Sequence, residues 1–167
     1  GVSNSGAKFD ADVSQRIFDI NLQGVLNTAH PAVACFQKHK AGHLVLMSSL
    51  AGVCGGSREP SYSASKAAVK EFGIMLGGQL RPQGIYVSVI CPGFVKTALT
   101  DKNRYHMPLI MSAERAAQIM QKNIAKRKPL IVYPYRMFFL ARLGSMLPVK
   151  WLLFFLKYFK EFDSKAD

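Results

Sequence analysis

The sequence predicts an α/β protein in which short parallel strands alternate with longer helices, and two observations carry this prediction. Three short apolar runs, at 43–47, 85–91 and 130–133, have the length and composition of buried strands. Helical patterns of ten or more residues precede and separate these runs. Such alternation is typical of right-handed βαβ units, in which the strands lie parallel in one sheet.

The elements of the first half follow in order. Apolar residues at helical spacing predict a helix over about 12–39, and Gly42 is expected to end it. The first strand, 43–47, leads into a glycine-rich loop at 50–60. An alanine-rich helix is predicted over 61–80. Its buried face is expected to contain three large apolar side chains, Phe72, Met75 and Leu76.

The second half continues the alternation. The second strand, 85–91, ends at Pro92-Gly93, and the segment 94–111 that follows is expected to be mobile. Ser112 is a suitable N-cap for a helix running to about residue 127, after which comes the third strand at 130–133.

The composition excludes several classes of protein. With 167 residues, 49% of them hydrophobic and 19% charged, the chain is large and apolar enough for one domain with a buried core. The net charge of +12 suits an anionic partner, but no nucleic-acid-binding motif accompanies it, so nucleic acid is not expected as a partner. Three cysteines without CxxC spacing favour a reducing compartment. Four histidines without metal-binding spacing predict no metal site.

The strongest functional signal is Tyr62 followed four residues later by Lys66, with Ser49 thirteen residues before the tyrosine. Residues four apart on a helix project from the same face, one turn apart. An ammonium beside a phenol favours the phenolate, so we expect Lys66 to lower the pKa of Tyr62 from its ordinary value of about 10. Tyr62 is therefore a candidate general acid and base near neutral pH. By itself, such a pair is more often a solvated surface pair.

Five sequence elements occur together in one order. They are Asn21-Leu22-Gln23-Gly24-Val25, a strand ending in Ser48-Ser49, Gly52, Tyr62-Ser63-Ala64-Ser65-Lys66, and the strand 85–90 followed by Pro92-Gly93 and Thr97. In this combination the chain resembles a short-chain dehydrogenase/reductase of the single-domain subgroup with a YxxxK core, most closely over residues 1–100. The resemblance implies a Rossmann-like, doubly wound parallel sheet.

The resemblance also implies roles for the matching residues. Tyr62 would donate or accept the proton at the substrate oxygen, Ser49 would polarise that oxygen, and Lys66 would bind the nicotinamide ribose. Asn21 would steady a water that leads protons from Lys66 to solvent, at a mid-helix position where asparagine is unfavourable. The cofactor would be NAD or NADP. Its contacts would be Tyr62, Lys66, Pro92, Gly93, Val95 and Thr97.

The same resemblance implies a substrate pocket lined by the segments 50–60 and 94–111. The apolar side chains that they offer are Val53, Cys54, Phe94, Leu99, Met107 and Leu109. They suggest a small apolar alcohol or ketone, such as a lipid or steroid, as the substrate. Members of this family often pair through a four-helix interface, so a homo-oligomer through the helices 12–39 and 61–80 is expected.

The chain departs from the family pattern at its beginning. The family opens with a glycine-rich turn, GxxxGxG, that places pyrophosphate on a helix N-terminus, and this sequence contains no such turn. We therefore expect a fragment that is inactive alone, with the catalytic half of a Rossmann-like domain at 1–134 and a basic, aromatic helical tail at 135–167. The strand edge beside 43–47 should be exposed. The alternative is a non-catalytic truncated product that acts through helix pairing or membrane-surface binding.

The tail has two interpretations. From Lys122 onward the chain has ten Lys and Arg but three Asp and Glu. Its longest apolar run, 151–156, is far shorter than the roughly 20 residues needed to span a bilayer. An aromatic helix face (Trp151, Phe155, Tyr158 and Phe162) would suit a membrane interface with anionic lipid, although packing against the protein or a second copy is the commoner use of such a face. The expected location is cytoplasmic or membrane-associated, facing a reducing compartment.

Overall fold

The computed structural model describes residues 9–54, 59–97, 100, 107–151, 153 and 154. The helices in this part of the chain are α1 (Ala11–Phe18), α2 (Gly24–His39), α3 (Ala51–Cys54), α4 (Pro60–Leu80), α5 (Ala113–Ala125) and α6 (Tyr135–Ser145). A π-helical turn, Asp19–Gln23, joins α1 to α2, and a 3-10 turn, Arg81–Gln83, follows α4. The strands are β1 (Gly42–Met47), β2 (Ile85–Pro92) and β3 (Leu130–Tyr133).

The three strands form one parallel sheet in the order β1-β2-β3, which confirms the predicted strands and their direction. Gly42 pairs with Ile85 at one end of the β1–β2 ladder, and Met47 pairs with Ile90 at the other. The pairing extends beyond β1, since the Ser48 amide donates to the Ile90 carbonyl oxygen at 2.8 Å. The carboxyl ends of β1 and β2 therefore lie side by side, where ligand sites of open parallel sheets form.

Helices cover both faces of the sheet, as a doubly wound fold requires. On one face α2 and α4 bury a cluster that comprises Leu46, Val69, Leu80, Ile85 and Val87. On the other face α5 buries a second cluster with β2 and β3, namely Ile90, Ala116, Ile131 and Tyr133. Alternate residues of β2 thus point into different layers, which explains why the strand is apolar along nearly its whole length.

The strand β1 lies at the edge of the described sheet, with β2 as its hydrogen-bonded neighbour in that part of the chain. On the α5 side of the sheet, Val45 is 38% exposed and Met47 is 45% exposed. In the described residues, β1 is thus an edge strand, as predicted for 43–47. Within the described residues, no helix is long and apolar enough to cross a bilayer.

Three expectations for the first half need correction. The helix predicted over 12–39 has α2 as its last part, and α2 ends at His39 because Lys40 adopts a left-handed conformation (φ 50°). Gly42 does not end this helix but begins β1. The segment 50–60 is not all loop, since it contains α3 and the first residue of α4, while 55–58 lie outside the described residues. Met75 is 65% exposed, because the buried side of α4 carries Gly73 and position 75 is two residues, about 200°, further around the helix.

The second half agrees with the expected elements. Ser112 caps α5, its hydroxyl oxygen accepting from the Arg115 amide at 3.2 Å. The two ends of the segment 94–111 meet in a parallel bridge between Val95 and Met111. The whole segment is expected to be mobile, and eight of its residues (98, 99 and 101–106) lie outside the described residues. Phe155, Tyr158 and Phe162 of the tail also lie outside them.

Candidate active site

The site begins where β1 ends. The Ser48 hydroxyl donates to the Lys66 carbonyl oxygen on α4 at 2.7 Å, which joins the end of the strand to the helix. The Ser49 hydroxyl oxygen accepts from the Ala51 amide at 3.2 Å, which forms a local serine turn that leads into α3. Ser49 lies close enough to Tyr62 for its side chain to lower the pKa of the phenol by hydrogen bonding. The two hydroxyl groups that the sequence singled out are therefore neighbours.

The close approach of α3 to α4 depends on Gly52. A Cβ placed on Gly52 would lie 2.6 Å from the Lys66 carbonyl carbon and 2.6 Å from the Ala67 amide nitrogen. Both are backbone atoms, so a side chain at position 52 would push the two helices apart. Glycine at this position thus allows Ser49 to reach Tyr62.

Tyr62 and Lys66 lie one turn apart on α4, as their spacing predicts. The Lys66 Nζ is 5.8 Å from the centroid of the Tyr62 ring. Lys66 is buried, and its Nζ donates to the Met47 carbonyl oxygen at 3.2 Å. Burial lowers the pKa of Lys66 because it disfavours the ammonium, while the charge of Cys91 acts in the opposite direction.

The expectation that Tyr62 has a lowered pKa is not met. Burial raises the pKa of Tyr62, and the charge of Glu59 raises it further, whereas the hydrogen bond with Ser49 lowers it. Burial acts more strongly than the other two causes because the buried phenolate loses part of its hydration. The spacing of Tyr62 and Lys66 indicated correctly which groups meet, but it carried no information on how deeply the phenol is buried.

Lys66→Met is expected to raise the free energy of unfolding at neutral pH, because a buried ammonium opposes folding. At pH values below the lowered pKa of folded Lys66, the lysine is charged in both the folded and the unfolded protein. The full free-energy cost of burying the ammonium is then present. As pH rises from that value towards the unfolded pKa of 10.5, the folded lysine neutralises first and the penalty disappears. The stability gained by Lys66→Met should therefore shrink over this range.

Denaturant unfolding of the variant at neutral pH and near the upper end of that range measures the effect. Lys38→Met is the matched control, because Lys38 is exposed in the last turn of α2. A gain of equal size at both pH values would mean that the charge of Lys66 does not oppose folding.

Asn21 lies in the π-helical turn and is buried beside α4. Its Nδ2 donates to the Ser65 hydroxyl oxygen at 3.3 Å, and that hydroxyl donates to the Tyr62 carbonyl oxygen at 2.8 Å. Asn21 is thus placed next to the residue that precedes Lys66. Sequence reasoning missed Ser65 as a member of this network, although a serine between Tyr62 and Lys66 was visible in the motif.

The end of β2 forms the other wall of the site. The Gly93 amide donates to the Tyr133 carbonyl oxygen at 2.7 Å, and a Cβ on Gly93 would lie 2.9 Å from the Pro134 Cδ. This position is therefore packed tightly against the end of β3. Further along, the Thr97 amide donates to the Thr100 hydroxyl oxygen at 2.8 Å, which holds Thr97 in a local turn.

The expected pocket residues are placed in several ways. Val53 packs against the core cluster beneath α3, and Phe94 and Met107 are half-buried. Leu109 is 51% exposed. Leu99 and the side chain of Cys54 lie outside the described part of the chain. In the described residues, no group of three His, Cys, Asp or Glu side chains is placed to hold a metal ion.

Comparison with known proteins identifies the family. A family model described as short chain dehydrogenase matches residues 1–108. An uncharacterized oxidoreductase of Myxococcus xanthus is 36% identical over 132 residues, which are 79% of this chain and 52% of that protein. The chain therefore spans about half the length of this curated relative.

Solved structures share the fold at low sequence identity. A short-chain dehydrogenase from Sphingobium yanoikuyae in complex with NADPH has a TM-score of 0.71 at 21% identity, covering 83% of this chain and 58% of that one. The bulky-bulky ketone specific alcohol dehydrogenase from Comamonas testosteroni has a TM-score of 0.71 at 22% identity, covering 89% and 61%.

Parallel strands with helices on both faces define a Rossmann-like fold. The chain belongs to the short-chain dehydrogenase family. The fold and family predicted from the sequence are confirmed.

Proposed function

We propose that this protein is an NAD(P)-dependent oxidoreductase that interconverts a secondary alcohol and the corresponding carbonyl compound. The observation that carries the proposal is the grouping of Ser49, Tyr62 and Lys66 at the carboxyl end of the sheet, with the Lys66 Nζ 5.8 Å from the centroid of the Tyr62 ring. Two hydroxyl groups held together are able to contact one substrate oxygen, and carbonyl reduction needs both a proton and charge stabilisation at that atom.

Tyr62 handles the proton in this proposal. During reduction its phenol gives a proton to the substrate oxygen, while the Ser49 hydroxyl donates a hydrogen bond to the same oxygen. The raised pKa of Tyr62 suits this direction, because the phenol keeps its proton at neutral pH until the oxygen becomes basic. In the reverse direction Tyr62 must accept a proton, and the hydrogen bond with Ser49 favours the phenolate.

The residues of the site fit a nicotinamide cofactor. An ammonium has three N–H donors, and among the described contacts Lys66 uses one of them, to the Met47 carbonyl oxygen. The other donors suit the neighbouring hydroxyl groups of a ribose. When bound, NAD or NADP supplies or accepts the hydride. The proposed contacts at the nicotinamide end are the residues that follow β2, namely Pro92, Gly93, Val95 and Thr97.

Asn21 is proposed as a positioning residue. It is buried, and through Ser65 it is linked to the turn of α4 that carries both Tyr62 and Lys66. A water held by Asn21 beside Lys66 would return protons to the site after each turnover. The Ser65 link supports this role because it fixes the asparagine relative to the catalytic turn.

The proposed substrate is a small apolar alcohol or ketone. Half-buried Phe94 and Met107 and exposed Leu109 lie in the segment after β2, and their apolar side chains support the proposal. An apolar wall favours substrates whose carbonyl group is flanked by hydrocarbon.

The test measures oxidation of NADH or NADPH by the full-length protein with apolar and polar ketones. We expect turnover with apolar ketones, and Ser49→Ala should lower kcat/KM by about 10²–10³-fold, the cost of removing one oxyanion donor. Ser145→Ala is the control, because Ser145 is exposed on α6 and its hydroxyl bonds locally to the Arg142 carbonyl oxygen. Undiminished turnover by Ser49→Ala would contradict the assigned role.

Two interactions extend the proposal. We propose a homo-oligomer that pairs through the helical segments 12–39 and 61–80, supported by the exposed Ile20 and Met75 on those helices. We also propose that the tail contacts a membrane surface.

The alternative, a non-catalytic chain that acts through these contacts alone, is tested by the same assay, because it predicts no cofactor oxidation. The purified 167-residue chain is expected to be inactive by itself, and turnover by that chain would contradict this expectation.

A further inference from the structure

The helix α6 has two apolar faces, and one of them is already used. Met137 and Phe138 pack against the core cluster that contains Leu50 and Val132. On the opposite side, four large apolar side chains are between 65% and 76% exposed: Phe139, Leu140, Leu143 and Met146. The spacing of positions 139, 143 and 146 places them along one stripe of the helix. This stripe is therefore additional to the face that anchors α6.

The apolar surface continues beyond α6. Four more large apolar side chains are between 57% and 68% exposed: Val149, Trp151, Leu153 and Phe154. We call the eight residues from Phe139 to Phe154 together the C-terminal apolar face. Single exposed apolar residues are normal on a protein surface, but so dense a group marks an interaction site.

The charged residues within the segment that carries this face have one sign. From 134 to 154 the sequence has three Lys and Arg and no Asp or Glu. Arg136 and Arg142 are exposed on α6, and exposed Lys150 lies within the apolar face. Pairing of two copies through this face would bring like charges together, which opposes association. An anionic surface would neutralise them, and long basic side chains are able to reach its head groups while their neighbours enter the apolar layer.

We propose that the C-terminal apolar face is a docking site for an anionic phospholipid bilayer, on which the protein lies without crossing it. The apolar side chains enter the boundary between head groups and acyl chains, and Arg136, Arg142 and Lys150 contact lipid phosphates. Charge complementarity identifies the occupant, because both components of such a surface, apolar stripe and flanking cations, are present on one side of α6.

The position of α6 gives this contact a consequence for the site, which rests on the proposed function. α6 packs on α3, which follows Ser49, and on β3, and its Met137 lies 3.1 Å from a Cβ placed on Gly93. The beginning of α6, the helix that carries part of the apolar face, is thus at the carboxyl end of the sheet, the same end as Tyr62. A docked protein holds its active-site end near the bilayer, where apolar alcohols and ketones concentrate.

Vesicle cosedimentation of the full-length protein tests the docking. The probes are vesicles of phosphatidylcholine alone and of phosphatidylcholine with phosphatidylserine at about a third of the lipid. We expect binding to the anionic vesicles, weak binding to the neutral ones, and release by high salt. Equal binding to both vesicle types would overturn the proposal.

Two matched pairs of variants locate the surface. Phe139→Gln with Leu143→Gln should weaken binding about tenfold or more, whereas Met75→Gln, at an exposed position of α4, should leave it unchanged. Arg142→Gln should weaken binding about fivefold, and the exposed Lys38→Gln on α2 should have a much smaller effect. Arg142 is exposed, so its substitution should not prevent folding. Arg142→Gln therefore tests the proposal even if the double variant does not fold.

Other occupants give different results. Retained vesicle binding by the double variant, with its thermal unfolding unchanged, would overturn the assignment of the contact to α6. Dimers that dissociate in the double variant, without binding of the natural protein to anionic vesicles, would show that a second copy covers the face. Turnover of a water-dissolved ketone is measured separately, so loss of the proposed activity and loss of lipid binding are distinguishable.

Discussion

Tyr62→Phe is expected to lower kcat by roughly 10²–10⁴-fold in the active protein, the range attributable to general acid–base catalysis. The substitution removes the proton at the point where Ser49 and Tyr62 meet, but it keeps the aromatic ring beside Lys66. Cofactor affinity should therefore change little, because the ring still fills its place and the Lys66 ammonium is intact. Steady-state kinetics and equilibrium titration with NADH or NADPH measure the two quantities separately.

Tyr86→Phe provides the matched control for this substitution. The Tyr86 ring lies between the guanidinium groups of Arg81 and Arg127, at 4.6 Å and 4.2 Å from its centroid. It belongs to the start of β2, the end of the sheet opposite Tyr62. The same loss of a hydroxyl there should leave kcat unchanged. Full activity in Tyr62→Phe would exclude Tyr62 as the proton donor.

Gly52→Ala is expected to lower the free energy of unfolding by about 1–3 kcal/mol, the usual cost of overpacking. The added methyl group would meet the backbone of Lys66 and Ala67 at 2.6 Å. That backbone has little room to move, because the Lys66 carbonyl oxygen accepts from Ser48 and the Lys66 side chain is buried. Relief of the clash should also separate Ser49 from Tyr62, so activity should fall together with stability.

Gly78→Ala makes the same chemical change without the clash. A Cβ at position 78 of α4 meets no atom within 4 Å. Alanine is favoured over glycine inside a helix, so this variant should gain about 0.5–1 kcal/mol. Urea unfolding of the two variants side by side separates the packing effect from the backbone effect. A Gly52→Ala protein as stable as the natural one would mean that α3 is able to move away from α4 freely.

Much of the fold was predictable because strands and helices carry local signals. The apolar runs at β1, β2 and β3 and the cap at Ser112 were visible in the sequence. The failures concern positions where local pattern and packing differ. Met75 has an apolar side chain but lies on the exposed side of α4. The helix α2 ends at Lys40, although the nearby Gly42 was the residue expected to end it.

The candidate site was predictable to a similar degree. The sequence named Ser49, Tyr62 and Lys66, and the structure brings them together. The link from Asn21 through Ser65 was not foreseen, because it joins residues 44 positions apart and depends on a π-helical turn. A turn of this kind has no clear local signature in the sequence.

The sequence by itself determined the order of the secondary-structure elements, the family, and which side chains are able to do chemistry. Spacing is a one-dimensional property, and residues four apart on a helix project from the same face whatever surrounds them. Only the tertiary structure decided the electrostatic environment of those side chains. The pKa of Tyr62 is raised rather than lowered, because the energy of a charge depends on how much water the packed helices exclude from it.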